Sequence, residues 1–238
     1  MNFTLLVSRL LCLSTISLAA ISIPLTADEQ PYQPTTYEAW WDYCLENTVS
    51  MNKFATWLGD VDALSRCSMR KHIYSKKYES ILDVPCGLCI DFFGLEKDNI
   101  KIKYFGLDTS QKLTTRAHGL GINVVQGSIE NIPYESSKFD VAYSRHILEH
   151  LPYYEAAINE LIRVAKKEVL VVFFIRPTFD DIINYEKVDG HMIYHNHYDR
   201  QKLQNFVTSN KKVRSIAWEP ITQQEEILHI YLADDNSK

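Results

Sequence analysis

Three short runs hold residues able to grip a small polar ligand. Leu82-Asp83-Val84-Pro85-Cys86-Gly87 leads out of an apolar stretch into a glycine, and Gly106-Leu107-Asp108 ends a second apolar stretch on an acid. Gly127-Ser128-Ile129-Glu130 sets a polar side chain beside an apolar one. A glycine just after a buried strand lets the backbone come close to a ligand, and a helix starting behind it offers unbonded N–H groups. Asp108 stands 21 residues past Gly87, a spacing at which a carboxylate can accept hydrogen bonds from a ribose diol. Ser128 and Ile129 could hold the edge of a base.

Other patterns offer different chemistry. His146-Ile147-Leu148-Glu149-His150 matches H-x-x-E-H, a zinc pattern of metallopeptidases, with Glu225 or Glu226 downstream as a third ligand. Pro152 follows two residues later and would break the helix that such a site needs. Cys86-Gly87-Leu88-Cys89 is a C-x-x-C, as in thiol oxidoreductases, but that reading leaves Asp108 and the run from Gly127 to Tyr134 without a purpose. His191, His195 and His197 would share one face of an extended strand, where imidazoles could bind a transition metal or line a loop over a pocket.

These residues need elements to position them. Ile81–Val84, Ile102–Leu107, Ile122–Gln126 and Phe139–Tyr143 read as short strands. Ser110–His118 reads as a helix closed by Gly119 in the left-handed position. A helix starting at Pro152 would bury Tyr154, Ile158, Leu161, Ile162 and Ala165 along one face. Val169–Ile175 is continuously apolar, the mark of a strand covered on both faces. Asp199 can cap a helix to about Ser209, and Val213–Trp218 and Ile227–Leu232 form two strands with no helix between them. The succession predicts an α/β fold: a Rossmann-like, open, mostly parallel seven-stranded sheet with an antiparallel strand near one edge.

Composition narrows the function. Hydrophobic residues make up 46% and charged residues 23% of 238, an ordinary globular balance. Lys+Arg number 25 against Asp+Glu 30, for a net charge of −5, and no basic block is long enough to track phosphates, so no nucleic-acid partner is expected. Leu10 to Ala27 is an uncharged run of 18 residues after Arg9, read as a signal peptide or membrane anchor that exports or tethers the chain. The expected division is a hydrophobic leader at 1–27, a helical lead-in or lid at 28–75 holding Tyr37, Trp40, Trp41 and Trp57, and the α/β domain at 76–238. Cys44, Cys67, Cys86 and Cys89 are even in number, which would permit two disulfides in an oxidising compartment.

In their order, the motifs resemble those of the class I S-adenosylmethionine-dependent methyltransferases, in their small-molecule branch. Leu82 to Gly87 is similar to the family's first motif, an acid followed by spaced glycines. Only Gly87 of those glycines is kept, and Cys89 adds a side chain where the family's backbone approaches the cofactor. Gly106-Leu107-Asp108 is similar to the second-strand acid; Gly127 to Tyr134, Lys138 to Ser144 and Leu148-Glu149-His150-Leu151 are similar to the third and fourth motifs. The resemblance spans about residues 78–232 and implies S-adenosyl-L-methionine as cofactor, with no metal. It implies Gly87 and the peptide groups of Pro85 and Cys86 beside the methionine part, with Asp83 orienting that loop. Asp108 would sit on the ribose, Ser128 and Ile129 at the adenine, and Ser144 at the mouth beside the methyl group. Ser128 replaces the acid that the family generally has. His146, then His195 or His197, are the candidate bases for an acceptor that must lose a proton, and the segment around Asn196-His197-Tyr198 would cover the acceptor side. The acceptor is expected to be a small molecule or a peptide side chain, with a non-catalytic cofactor-binding relative as the alternative. The cofactor requires cytosolic access, against the outward pull of the leader.

Overall fold

The computed structural model describes residues 37–47, 59–188 and 190–233. The leader at 1–27 and Trp57 fall outside the described residues, as do the side chains of Tyr37, Trp40 and Trp41. No helix among the described residues is long and apolar enough to cross a membrane.

Helices α1 (Tyr37–Glu46) and α2 (Leu64–Lys76) precede β1 (Ser80–Asp83), α3 (Ile90–Lys97), β2 (Lys103–Asp108), α4 (Gln111–Gly119) and β3 (Val124–Gln126). Next come β4 (Phe139–Arg145), a 3-10 turn at Leu148–His150, α5 (Glu155–Val164), β5 (Ala165–Phe173) and the short strands β6 (Tyr185–Val188) and β7 (His191–Tyr194). The chain closes with α6 (Arg200–Ser209), β8 (Val213–Pro220) and β9 (Glu226–Leu232). Seven strands form one sheet in the order β3-β2-β1-β4-β5-β9-β8, and β6 and β7 form a separate antiparallel hairpin.

Strand β1 pairs in parallel with both β2 and β4, so the chain runs outward on one side of β1 and then returns to its other side. That reversal opens a crevice beyond the carboxyl ends of the strands, where loops diverge to opposite faces. β9 runs antiparallel between β5 and β8, which agrees with the expected mostly parallel sheet and its antiparallel element near one edge.

The sheet lies between two apolar layers. On one face Leu82, Ala142, Val169 and Val171 pack against Ile158, Leu161 and Ile162 of α5 and Leu203 and Val207 of α6. On the other, Ile81, Val141, Leu170 and Val172 pack against Met69 and Ile73 of α2 and Leu95 of α3. Burying each such aliphatic side chain contributes about 1.5–3 kcal/mol, which is why the continuous apolarity of β5 marks the centre of the sheet.

Three local expectations change. Gly119 ends α4 but is not left-handed; the chain turns at Gly121 instead, with φ +74. Helix α5 begins at Glu155 rather than at Pro152, and the 3-10 turn occupies the space before it. The β6–β7 hairpin arises inside the segment read as a loop or single strand. The Asp199 cap forms as expected, its side chain accepting from Lys202 N–H at 2.7 Å.

Candidate active site

The ends of three strands meet in register. Asp83 lies opposite Gly106 on β2 and opposite Tyr143 on β4, so the residues just beyond them share one edge. Asp108 is the knot of this edge. Its Oδ2 accepts from Gly87 N–H at 2.9 Å, its Oδ1 accepts from Ser110 N–H at 3.0 Å, and its carbonyl accepts from Gly127 N–H at 2.9 Å. The three runs singled out in the sequence thus converge on one buried acid.

The loop after β1 owes its shape to two glycines. Gly87 has φ +52, a conformation that strains other residues, and a Cβ there would meet nothing within 4 Å, so the outer face of the loop is open. At Gly106 a Cβ would lie 2.8 Å from Val124 Cγ2 and 2.9 Å from Cys86 Sγ, so the Cys86 side chain tucks under the loop against bare backbone. Cys89, the residue expected to intrude, adopts φ +56, keeping a glycine-like conformation, while its side chain is buried in the core. A hydrogen bond with Cys89 and then burial push the Cys86 thiol up, opposite to the activation that a redox thiol needs. Cys67, Cys86 and Cys89 are free thiols, so the four cysteines do not form two disulfides with one another.

Other predicted residues are placed less directly. The Asp83 carboxyl turns inward and accepts from Tyr104 OH at 2.6 Å; burial and the nearby Asp91 hold it well above the usual carboxylate range. Ser128 Oγ accepts from Glu130 N–H at 3.1 Å, a local turn, and the Ile129 side chain packs into the core. Only the backbone of Ile129 is left to face a ligand.

The β4 and β5 ends build the other half. Ser144 Oγ is buried with no hydrogen-bond partner, an orphaned hydroxyl at the crevice end of β4. His146 follows with φ +56, a strained conformation of the kind that collects at functional sites. Its Nε2 lies 2.7 Å from Glu225 Oε1, which also accepts from Ser65 Oγ at 2.7 Å and from Arg145 Nη2 at 3.1 Å. That network assigns the proton to Nε2 and the lone pair to Nδ1. Burial pulls His146 down to about 4 against the opposing bond to Glu225, so the ring is neutral at pH 7. Burial alone would raise Glu225, but the bonds from His146 and Ser65 and the charge of Arg145 bring it down to about 2.

Phe174, just past β5, gathers three imidazoles. Ring centroids lie 5.3 Å away for His146, 5.1 Å for His150 and 6.0 Å for His195. His195 also pairs with Glu186, and His150 Nδ1 donates to the Tyr194 carbonyl at 2.7 Å. His197 sits in a backbone bridge to Ile182 and His191 packs on Tyr43 of α1, so the three histidines of the 191–197 segment do not converge on one metal. Glu149 is fully buried, its Oε1 accepting from Phe174 N–H at 2.7 Å and Ile175 N–H at 3.2 Å, and burial raises it to about 7. The H-x-x-E-H string is therefore not a zinc helix: it spans one 3-10 turn, its histidines bond Glu225 and Tyr194 separately, and its glutamate pins the end of β5.

Sequence reasoning missed the parts played by Phe174, Glu149 and Arg145, considered Glu225 only as a zinc ligand, and gave His150 no role beyond the zinc pattern and the motif run Leu148 to Leu151. Helix α1 spans the two halves. Asp42 accepts from Ser110 Oγ at 3.0 Å beside Asp108, Glu46 meets Lys112, and Tyr43 lies 4.6 Å from His191 on β7.

The donor set fits a nucleoside-bearing ligand: an open glycine loop, a buried acid at the end of β2, and an orphaned hydroxyl at the end of β4. Residues 82–173 match a family model described as a methyltransferase domain. Over 90 residues the chain is 31% identical to phthiotriol/phenolphthiotriol dimycocerosates methyltransferase 1 of Mycobacterium ulcerans, covering 36% of this chain and 33% of that protein. A Mycobacterium tuberculosis counterpart is 29% identical over 92 residues, 37% of this chain and 34% of its own length. The chain thus spans about a third of the length of these curated relatives. The PH0226 protein of Pyrococcus horikoshii superposes with a TM-score of 0.59 at 15% identity, over 74% of this chain and 91% of that one. A Thermotoga maritima S-adenosylmethionine-dependent methyltransferase gives 0.55 at 17%, over 80% and 99%. These structures share the fold, and residues 82–173, which hold the ends of β1, β2, β3 and β4, are similar in sequence to a methyltransferase domain.

Proposed function

We propose that the protein transfers the methyl group of S-adenosyl-L-methionine to a small-molecule acceptor. The reading rests on one observation above the others: Gly87, Asp108 and Gly127 are joined by hydrogen bonds at one sheet edge. In this reading Asp108 holds the ribose diol, the peptide groups of Pro85, Cys86 and Gly87 border the methionine part, and Ser128 with the backbone of Ile129 meets the adenine. Asp83 supports β1 from beneath through Tyr104. Ser144 faces the mouth, where its orphaned hydroxyl gains a partner.

The cofactor brings a methyl group that is already activated, so the chain's own work is alignment and exclusion of water. Helix α1 acts as the lid, reaching from Ser110 to the β6–β7 hairpin. His146 takes a proton at Nδ1 when the acceptor must lose one, and Glu225 positions it. His195 shares the ring cluster with His146 and serves as a wall of the acceptor side; His197, one bridge away, shapes the segment that carries that wall. Relatives named for phthiotriol-type compounds favour a small molecule over a peptide side chain. Exposed Phe179, Ile182 and Ile183, in the segment after β5, offer an apolar approach to it.

The test is methyl transfer from labelled S-adenosyl-L-methionine to hydroxylated lipids, phenols and amines. Label in one acceptor class is the expected result. Ser128, standing in place of an acid and tied to Glu130, favours a second reading as a cofactor-binding relative without turnover. Saturable binding of S-adenosylhomocysteine with no transfer to any class would support that second reading, and no binding by the folded protein would reject both.

A further inference from the structure

Helix α2 presents a polar stripe to the sheet. Ser65, Ser68 and His72 recur at spacings of three and four, so they stand on one face. Each meets a carboxylate: Ser65 Oγ donates to Glu225 at 2.7 Å, Ser68 Oγ to Glu219 at 2.5 Å, and His72 Nε2 lies 2.8 Å from Glu168 Oε2. The last rung is the densest. Glu168 is fully buried in β5, accepts from Tyr78 OH, and lies 2.9 Å from His229 Nδ1 of β9. The other nitrogen of that ring, Nε2, lies 3.0 Å from Glu219 Oε2.

Two arrangements can hold this cluster together. With both nitrogens of His229 facing carboxylates, hydrogen bonds alone require a doubly protonated imidazolium, in a side chain only 6% exposed. They also require a proton on His72 Nε2 aimed at the same Glu168. A divalent cation between the ring nitrogens and Glu168 removes both demands. His229 then ligates through Nδ1 and donates Nε2–H to Glu219, the carboxylate–histidine–metal arrangement that fixes tautomer and ring orientation. The three donor atoms already lie within 4.8 Å of one another.

We propose that His72, Glu168 and His229 form a site for a divalent transition metal, best matched by Zn2+, that clips α2 to β5 and β9. Two imidazoles and one carboxylate suit zinc and its neighbours, whereas Mg2+ and Ca2+ favour oxygen-only shells. The site is separate from the methyl-transfer crevice: Glu168 precedes the end of β5 by five residues, roughly 16 Å along the strand. It bears on that crevice through α2, because Ser65 lies seven residues, about 10 Å, from His72 and holds Glu225 against His146. The proposal stands on the cluster alone and does not depend on the reaction assigned to the crevice.

The test uses the full chain, stripped with a chelator, dialysed and titrated with Zn2+, Co2+ and Mg2+. One Zn2+ per chain is expected by calorimetry and elemental analysis, with a rise in Tm and no uptake of Mg2+. Co2+ should give a spectrum of nitrogen and oxygen ligation without thiolate charge transfer, separating this site from Cys86 and Cys89. His72→Ala should abolish the stoichiometric uptake. Glu219→Gln, which leaves all three ligands in place, should weaken Zn2+ binding about 10- to 100-fold. A folded wild type that takes up no Zn2+ would overturn the proposal. So would uptake unchanged in both variants, or a Co2+ spectrum dominated by thiolate.

Discussion

The two halves of the crevice are built in different ways. On the proposed cofactor side, at β1, β2 and β3, the decisive groups are backbone N–H donors and one acid, and every partner follows a strand end by a few residues. On the proposed acceptor side, at β4 and β5, the decisive contacts are made by side chains: His146 with Glu225 across 79 residues, and Glu149 with the Phe174 backbone. The first half is a local motif that needs only a parallel sheet. The second needs the whole fold, including the β8–β9 turn that brings Glu225 back and the α2 stripe that supports it. This division suits the proposed reading, in which the cofactor is shared among related domains and the acceptor is particular to this chain.

The largest expected effect on this contrast comes from Glu149. Replacing it by alanine leaves the half-buried Phe174 N–H and Ile175 N–H without their acceptor and opens a gap where a fully buried side chain was, so stability should fall by about 3 kcal/mol in chemical denaturation. S-adenosylhomocysteine affinity should change much less while the protein stays folded. An equal loss of cofactor binding would mean that the halves are not separable.

Acid should also strike the acceptor side first. Burial lowers His146 to about 4 and His150 to about 3 from an ordinary 6.5, so the folded state keeps both neutral where the unfolded chain takes up protons. Their stabilisation is full above pH 6.5 and is lost as pH falls toward those values. Glu149 works with the opposite sign: raised to about 7 from 4.5, it contributes below 4.5 and loses that contribution as pH rises through 7. Thermal unfolding across pH should therefore show a flatter acid limb in His146→Asn, and in Glu149→Gln a smaller decline between pH 4.5 and 7.

Smaller effects sharpen the assignment. Glu225→Gln keeps an acceptor for His146 but removes the charge, and should lower kcat about tenfold with little change in KM for S-adenosyl-L-methionine. A shift in KM alone would place Glu225 on the cofactor side. Ser128→Asp restores the acid usual in the family and should tighten S-adenosylhomocysteine binding by a few fold, the effect of about one charge-assisted hydrogen bond discounted for solvent.

Much of this was legible in the residues because it is local. The run Val169 to Ile175 reads as a central strand, which β5 fulfils as far as Phe173, Asp199 reads as a helix cap, and Gly87, Asp108 and Gly127 read as strand-end residues, each for a reason contained within a few positions. Cys89 was misjudged because residue type does not reveal that the backbone can take φ +56 while the side chain turns into the core. Glu149 and His150 were visible in H-x-x-E-H, which presumes a helix where the chain makes a single 3-10 turn, and in Leu148-Glu149-His150-Leu151, which names no partner for either side chain. Glu225 and the α2 stripe were out of reach, since no spacing rule says which of many surface-compatible carboxylates a distant hairpin will fold back onto His146.

The central claim is that a single acid at the end of β2 organises the cofactor site. Calorimetric titration of the wild type and of Asp108→Ala with S-adenosylhomocysteine tests it directly. Saturable one-to-one binding weakened at least tenfold by the substitution, in a variant with unchanged circular dichroism, is the predicted result. Equal affinity in the two proteins, or none in a folded wild type, would contradict it.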